Sequence, residues 1–140
     1  MRKMIALTAL AFFAAAPALA ETLHFKTSMT GAQETPPNDT KGTGTVDATY
    51  DTGDKTLSWT VDYSGLTGPA TMAHFHGPAP AGKPAAIEVP ITGSLASPFK
   101  GSAKLTDAQA KDLMDGMMYF NIHTEAHKGG EIRGQMEKAM

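Results

Sequence analysis

Four of the five histidines in this sequence fall into two short clusters, His74 and His76 in mid-chain and His123 and His127 near the end. In an extended strand, residues i and i+2 project from the same face. His74 and His76 therefore point together, with Met72 beside them. Their Cβ atoms are expected roughly 7 Å apart, a gap across which two imidazoles can converge on one ion at about 2.0–2.1 Å from each nitrogen. His123 lies on the face of its segment opposite Phe120 and Ile122, and His127 follows in a stretch that Gly129-Gly130 can bend. If the two segments are neighbours, three or four imidazoles meet. Neutral imidazole suits copper, zinc and nickel. The chain has no cysteine, so thiolate is excluded as a ligand. The expected ligand set is His74, His76, His123 and His127, with copper favoured and zinc second.

The same residues also have a plainer reading, in which the imidazoles hydrogen-bond to loop backbone and serve only structure. Glu131, Arg133 and Gln135 share one strand face. Arg133 could steer a small anion toward a metal, or form a cross-strand pair with Glu131, which stabilises a sheet by a few tenths of a kcal/mol. Asn121 and Glu125 are placed to hydrogen-bond His123. Met114, Met117 and Met118 carry thioethers, but helical spacing and apolar neighbours assign them to packing. His24 stands apart and reads as a strand-surface residue. No Ser-His-Asp arrangement and no phosphate-cradling glycine loop can be built.

These side chains need elements to hold them, and the sequence supplies short strands. Leu23, Phe25, Thr27 and Met29 alternate with polar residues, the period of a half-buried strand. Val46 to Tyr50 and Leu57 to Tyr63, joined by Asp51-Thr52-Gly53-Asp54, read as a hairpin with Trp59 as a core anchor. Further strands are expected at Ala70 to His76, Ala86 to Thr92, Pro98 to Leu105, Tyr119 to Thr124 and Glu131 to Met136. Gly31 to Thr40 and the proline-rich stretch after Gly77 are loops. One helix interrupts the series. Thr106 and Gln109 form a capping-box pair, Ala110, Leu113, Met114 and Met117 recur at helical spacing, and Gly116 stops it.

The chain has 140 residues, one domain's worth. Arg2 and Lys3 precede an apolar run from Met4 to Ala15, and Ala18-Leu19-Ala20 supplies a small-residue cleavage pattern. Residues 1–20 read as a signal peptide and residues 21–140 as the mature domain, periplasmic or secreted. The apolar run is shorter than the about 20 residues a membrane span needs, so no membrane association is expected after cleavage. Losing Arg2 and Lys3 takes the formal charge from −2 to −4 with no basic stripe, which argues against nucleic acid as a partner. About 120 residues can bury roughly two-thirds of their surface, enough for a core without disulfides.

Three stretches carry a family resemblance. Gly31-Ala32-Gln33-Glu34-Thr35-Pro36-Pro37, Ala73-His74-Phe75-His76-Gly77-Pro78-Ala79 and Asn121-Ile122-His123-Thr124, with His127 to Gln135 after it, resemble in order the opening, central and closing motifs of the CHRD domain first described in chordin. The resemblance implies an all-β extracytoplasmic domain and little about activity. A weaker resemblance, to copper-zinc superoxide dismutases, rests on the order His74, His76, His123, Arg133. It departs in lacking the dismutase cysteines and zinc loop, and in having Ile132 before the arginine. Together these imply an antiparallel Greek-key β-sandwich with one short helix, superoxide dismutase-like. Three functions follow as expectations: an exported domain binding a metal ion, a copper-dependent dismutase-like enzyme, or an interaction domain for another exported protein.

Overall fold

The computed structural model describes residues 8–11 and 19–140, so the leader expected over residues 1–20 lies largely outside the described residues. The chain opens with three strands, β1 (Thr22–Thr30), β2 (Thr43–Asp51) and β3 (Thr56–Ser64), each paired antiparallel with the next along its whole length. Their alternation places Phe25, Met29, Val46, Ala48, Leu57, Trp59 and Val61 on one buried face. The β2–β3 turn is held by Asp51, whose Oδ1 accepts from the backbone N–H groups of Gly53 at 2.7 Å and Asp54 at 3.1 Å. Lys55, in the same turn, takes a left-handed φ of 61°.

The remaining elements are β4 (Ala70–His76), β5 (Ile87–Pro90), β6 (Phe99–Lys104), α1 (Asp107–Met114), β7 (Tyr119–Thr124), β8 (Ile132–Gln135) and β9 (Glu137–Lys138). The hydrogen-bonded order is β5-β4-β7-β8-β1-β2-β3-β6, with β9 added beside β1. The fold is all-β and antiparallel, as the strand periodicity implies. The connections β3 to β4 and β5 to β6 pass from one half of this order to the other, which gives a Greek-key winding rather than a meander.

One continuous sheet replaces the two separate sheets of an open sandwich. β1 and β8 meet through a single pair, Thr30 with Arg133, and the sheet folds over there. Its two halves then face each other. Trp59 meets Phe75 edge-on at 5.2 Å between ring centroids, and Phe99 approaches Phe120 at 6.4 Å. The result is a nearly closed barrel with β5 and β6 at the ends of the order.

α1 carries the expected capping box. Thr106 Oγ1 accepts from the Gln109 N–H at 3.1 Å, and Gln109 Oε1 accepts from the Thr106 N–H at 3.0 Å. Gly116 follows with a φ of 71°, the left-handed stop. The methionine assignment needs correction, however. Met118 is fully buried, but Met114 is 45% exposed. An eight-residue helix lying on the barrel buries only a narrow stripe, here Leu113, and the next residue turns outward.

Two carboxylates held away from solvent behave in opposite ways. Glu131, wholly inaccessible to solvent, has no cationic partner among the described residues. Its carboxylate instead accepts from the hydroxyls of Thr40 (2.7 Å), Thr124 (2.7 Å) and Thr67 (2.5 Å), and from the Thr67 N–H at 3.0 Å. Its backbone oxygen accepts from Asn38 Nδ2 at 2.9 Å. One residue thus ties two loops to β7. Although burial alone would raise its pKa, the hydroxyl and N–H donors together hold it below the usual carboxylate value. Glu88 behaves oppositely. Burial, and then the neighbouring Asp112 carboxyl of α1, push it up to about 8.

Glu131→Leu removes the acceptor from four donors at once. It should cost about 3 kcal/mol or more in urea unfolding, because each buried group left without a partner costs about 1–3 kcal/mol. A loss below 1 kcal/mol would show that the loops do not depend on this clamp. Glu88 makes a prediction with a pH signature. The folded protein keeps a proton that the unfolded chain releases near 4.5, so its contribution declines as pH rises from about 4.5 to about 8. Wild type should therefore lose stability relative to Glu88→Gln between about pH 5 and pH 8, and a constant difference would refute the raised pKa of Glu88.

Candidate metal centre

β7 is buried on both faces, and this positions the site. Phe120 and Ile122 point into the barrel, while Tyr119, Asn121 and His123 point outward beneath loops. β4 pairs with it in the register His76–Tyr119, His74–Asn121 and Met72–His123. On its other side β8 sets Arg133 against Asn121 and Gln135 against Tyr119. Cross-strand partners share a face. The sheet therefore gathers His74, His76 and His123 on its outer side.

Nitrogen atoms of these three rings all lie within 4.8 Å of one another. The ring centroid of His74 stands 5.3 Å from that of His76 and 5.0 Å from that of His123. The three residues are only 8%, 8% and 7% exposed. The middle and the end of the chain converge through these three. His127 does not join them. It sits in the turn after β7, where its N–H bonds back to the Thr124 carbonyl at 3.2 Å, and it lines a separate recess with Pro36, Pro37 and Gly130. The tight turn that lets Gly130 return to the His127 carbonyl holds it there.

The hydrogen bonds fix which nitrogen of each ring is free. His76 Nδ1 lies 3.0 Å from the Ala85 carbonyl oxygen, and His123 Nδ1 lies 2.8 Å from that of Lys128. A carbonyl can only accept, so both rings carry their proton on Nδ1. A neutral ring then presents a lone pair at Nε2. Both Nε2 atoms face the Asn121 side-chain amide, at 2.9 and 3.1 Å from its Oδ1. Two lone pairs set against an amide oxygen form no hydrogen bond. A half-turn of the amide places its NH2 there instead, with one hydrogen for each ring.

Glu34, behind Asn121, completes that alternative. It is buried, its Oε1 has no partner among the described residues, and burial pushes it up to about 7, so its protonated form can donate to the turned amide oxygen. His74 Nδ1 is buried with no partner among the described residues. Burial, and then the two neighbouring imidazoles, push this ring down to about 4, so it is neutral near pH 7. Burial also lowers His76.

The surrounding residues differ from the sequence expectation. Glu125 is exposed and pairs with Lys128 at 3.2 Å, so it does not support His123. Arg133 and Glu131 form no pair, since Glu131 is taken by threonines. Arg133 is 1% exposed, with its guanidinium carbon 3.4 Å above the Tyr119 ring. Tyr119 in turn stacks flat on His76 at 4.8 Å. Arg133 Nη2 donates to the Pro80 carbonyl at 3.3 Å and Gln135 Oε1 at 3.2 Å. Arg133 is thus a buried brace behind His76. The contributions of Glu34 and Tyr119 are absent from the sequence reading. Glu34 sits in a loop far from the cluster along the chain, and Tyr119 has the pattern of an ordinary strand aromatic.

The bond pattern predicts that His76 and His123 are both Nδ1–H tautomers at neutral pH. Long-range proton–nitrogen NMR should show this directly, and an Nε2–H tautomer at either ring would overturn the assignment.

The family model of the CHRD domain matches residues 25–136. No curated protein and no solved structure matches the chain. The match runs from Phe25, the first buried residue of β1, to Met136 beyond β8, and takes in all three histidines of the cluster. The chain belongs to the CHRD domain family.

Proposed function

We propose that this protein is an exported metal-binding domain in which His74, His76 and His123 hold one copper ion, with zinc as the competing occupant. One observation carries the reading: two rings have their Nδ1–H committed to backbone carbonyls, which leaves Nε2 as the lone-pair nitrogen of each, and the third imidazole beside them has a buried nitrogen with no partner among the described residues. That is the usual support for metal-ligating histidines, whose second nitrogen donates to a carbonyl or carboxylate and sets the ring's orientation. Tetrahedral ligands at about 2.0–2.1 Å from an ion stand about 3.4 Å apart, so the rings need to close by about an ångström. An ion would take the lone pairs that otherwise face Asn121.

Binding, delivery or protection is favoured over dismutation, because Arg133 lies beneath the surface and is already bonded to Pro80 and Gln135. The plain interaction domain keeps one observation in its favour. The turned Asn121 amide would satisfy His76 and His123 without an ion. Export rests on the leader-like residues 1–20.

Titration of the metal-free protein with Cu(II) and Zn(II) separates these readings. Wild type should bind one equivalent of Cu(II), and His74→Ala or His123→Ala should lower the affinity by at least tenfold, as loss of one of three ligands demands. Binding that is equal in wild type and both variants would leave the interaction-domain reading.

A further inference from the structure

Beside the three imidazoles stands a methionine that packing does not account for. Met72 is 49% exposed, although the other methionines of the barrel's strands and their flanks, Met29, Met118 and Met136, are fully buried. It occupies the outer face of β4, two residues before His74, directly opposite His123 in the β4–β7 register. Directly opposed residues of an antiparallel pair have Cβ atoms about 4.5–5.5 Å apart. An unbranched thioether chain of that reach can place its sulfur at the nitrogens of the cluster. The position also lies on the solvent side, whereas the opposite side is closed by Tyr119, Arg133 and the loop that carries Ala85.

We propose that Met72 is the fourth, solvent-facing ligand of the cluster, and that the site takes copper as Cu(I). This inference rests on the three-histidine reading above. The donor chemistry selects the ion. A thioether is a soft, uncharged ligand that favours Cu(I), and three neutral imidazoles add no negative charge for a harder dication. A long, exposed thioether can swing away without breaking the sheet. The ligand most easily detached is then the one facing solvent, where a donor or acceptor of the ion would approach.

Met72→Leu tests this, since the two side chains have similar volume and the position is half exposed. Cu(I) affinity is measured by competition with a chromophoric Cu(I) chelator under ascorbate, and Zn(II) affinity by direct titration. Met72→Leu should weaken Cu(I) binding about tenfold or more and leave Zn(II) within about twofold, because the thioether discriminates between the ions. X-ray absorption should show a sulfur neighbour on Cu(I) in wild type and none in the variant. Unchanged Cu(I) affinity, or an equal fall for both ions, overturns the Met72 assignment and leaves the three-imidazole site. Failure of the wild type to take up either ion overturns both.

Discussion

A strand buried on both faces has no water for the polar groups it carries, and each must find a partner in protein or lose about 1–3 kcal/mol. β7 is such a strand, and much of this structure follows from it. Its inward residues, Phe120 and Ile122, fill the barrel. Its outward residues, Tyr119, Asn121, His123 and, at its end, Thr124, are covered by loops that answer them. The Lys128 carbonyl meets His123, the Ala85 backbone meets the Tyr119 hydroxyl, and Glu131 meets Thr124. These hydrogen bonds fix the loops over the strand.

The same constraint explains why the imidazole cluster is well oriented. Each ring of the His76 and His123 pair is held at its outer nitrogen by a backbone oxygen, and His76 is clamped flat against Tyr119 with Arg133 on the far side. Rotamer freedom is thereby removed before any ligand arrives. A site arranged in this way loses little entropy on binding, which is the physical content of preorganisation. His74 has a buried nitrogen with no partner among the described residues, and burial suppresses the charge of its ring. Its lone pair is thus available near pH 7.

Glu34 and Glu131 show two ways of keeping a carboxyl group inside a protein. Glu131 stays ionised because four donors surround it, and it acts as a rigid staple between loops. Glu34 has fewer donors and is driven toward its protonated form. Placed behind Asn121, it bears on which end of the amide faces the histidines.

Sequence periodicity was sufficient for β1 to β8, for the hairpin with Trp59 in the core, and for the capped helix, because each depends on neighbours a few residues apart; the short β9 was not read. The signal for His74 and His76 was equally local, since alternation alone puts them on one face. That His123 joins them was decided by the β4–β7 register, a pairing of segments more than forty residues apart that no local pattern encodes. His127 was lost because the turn that follows β7 holds it beside Pro36 and Pro37 instead, a placement its own neighbours in sequence do not reveal. Residue types thus determined which chemistry was available to this chain. Only the tertiary structure decided which of those groups meet, because strand pairing and burial act between residues that sequence distance keeps apart.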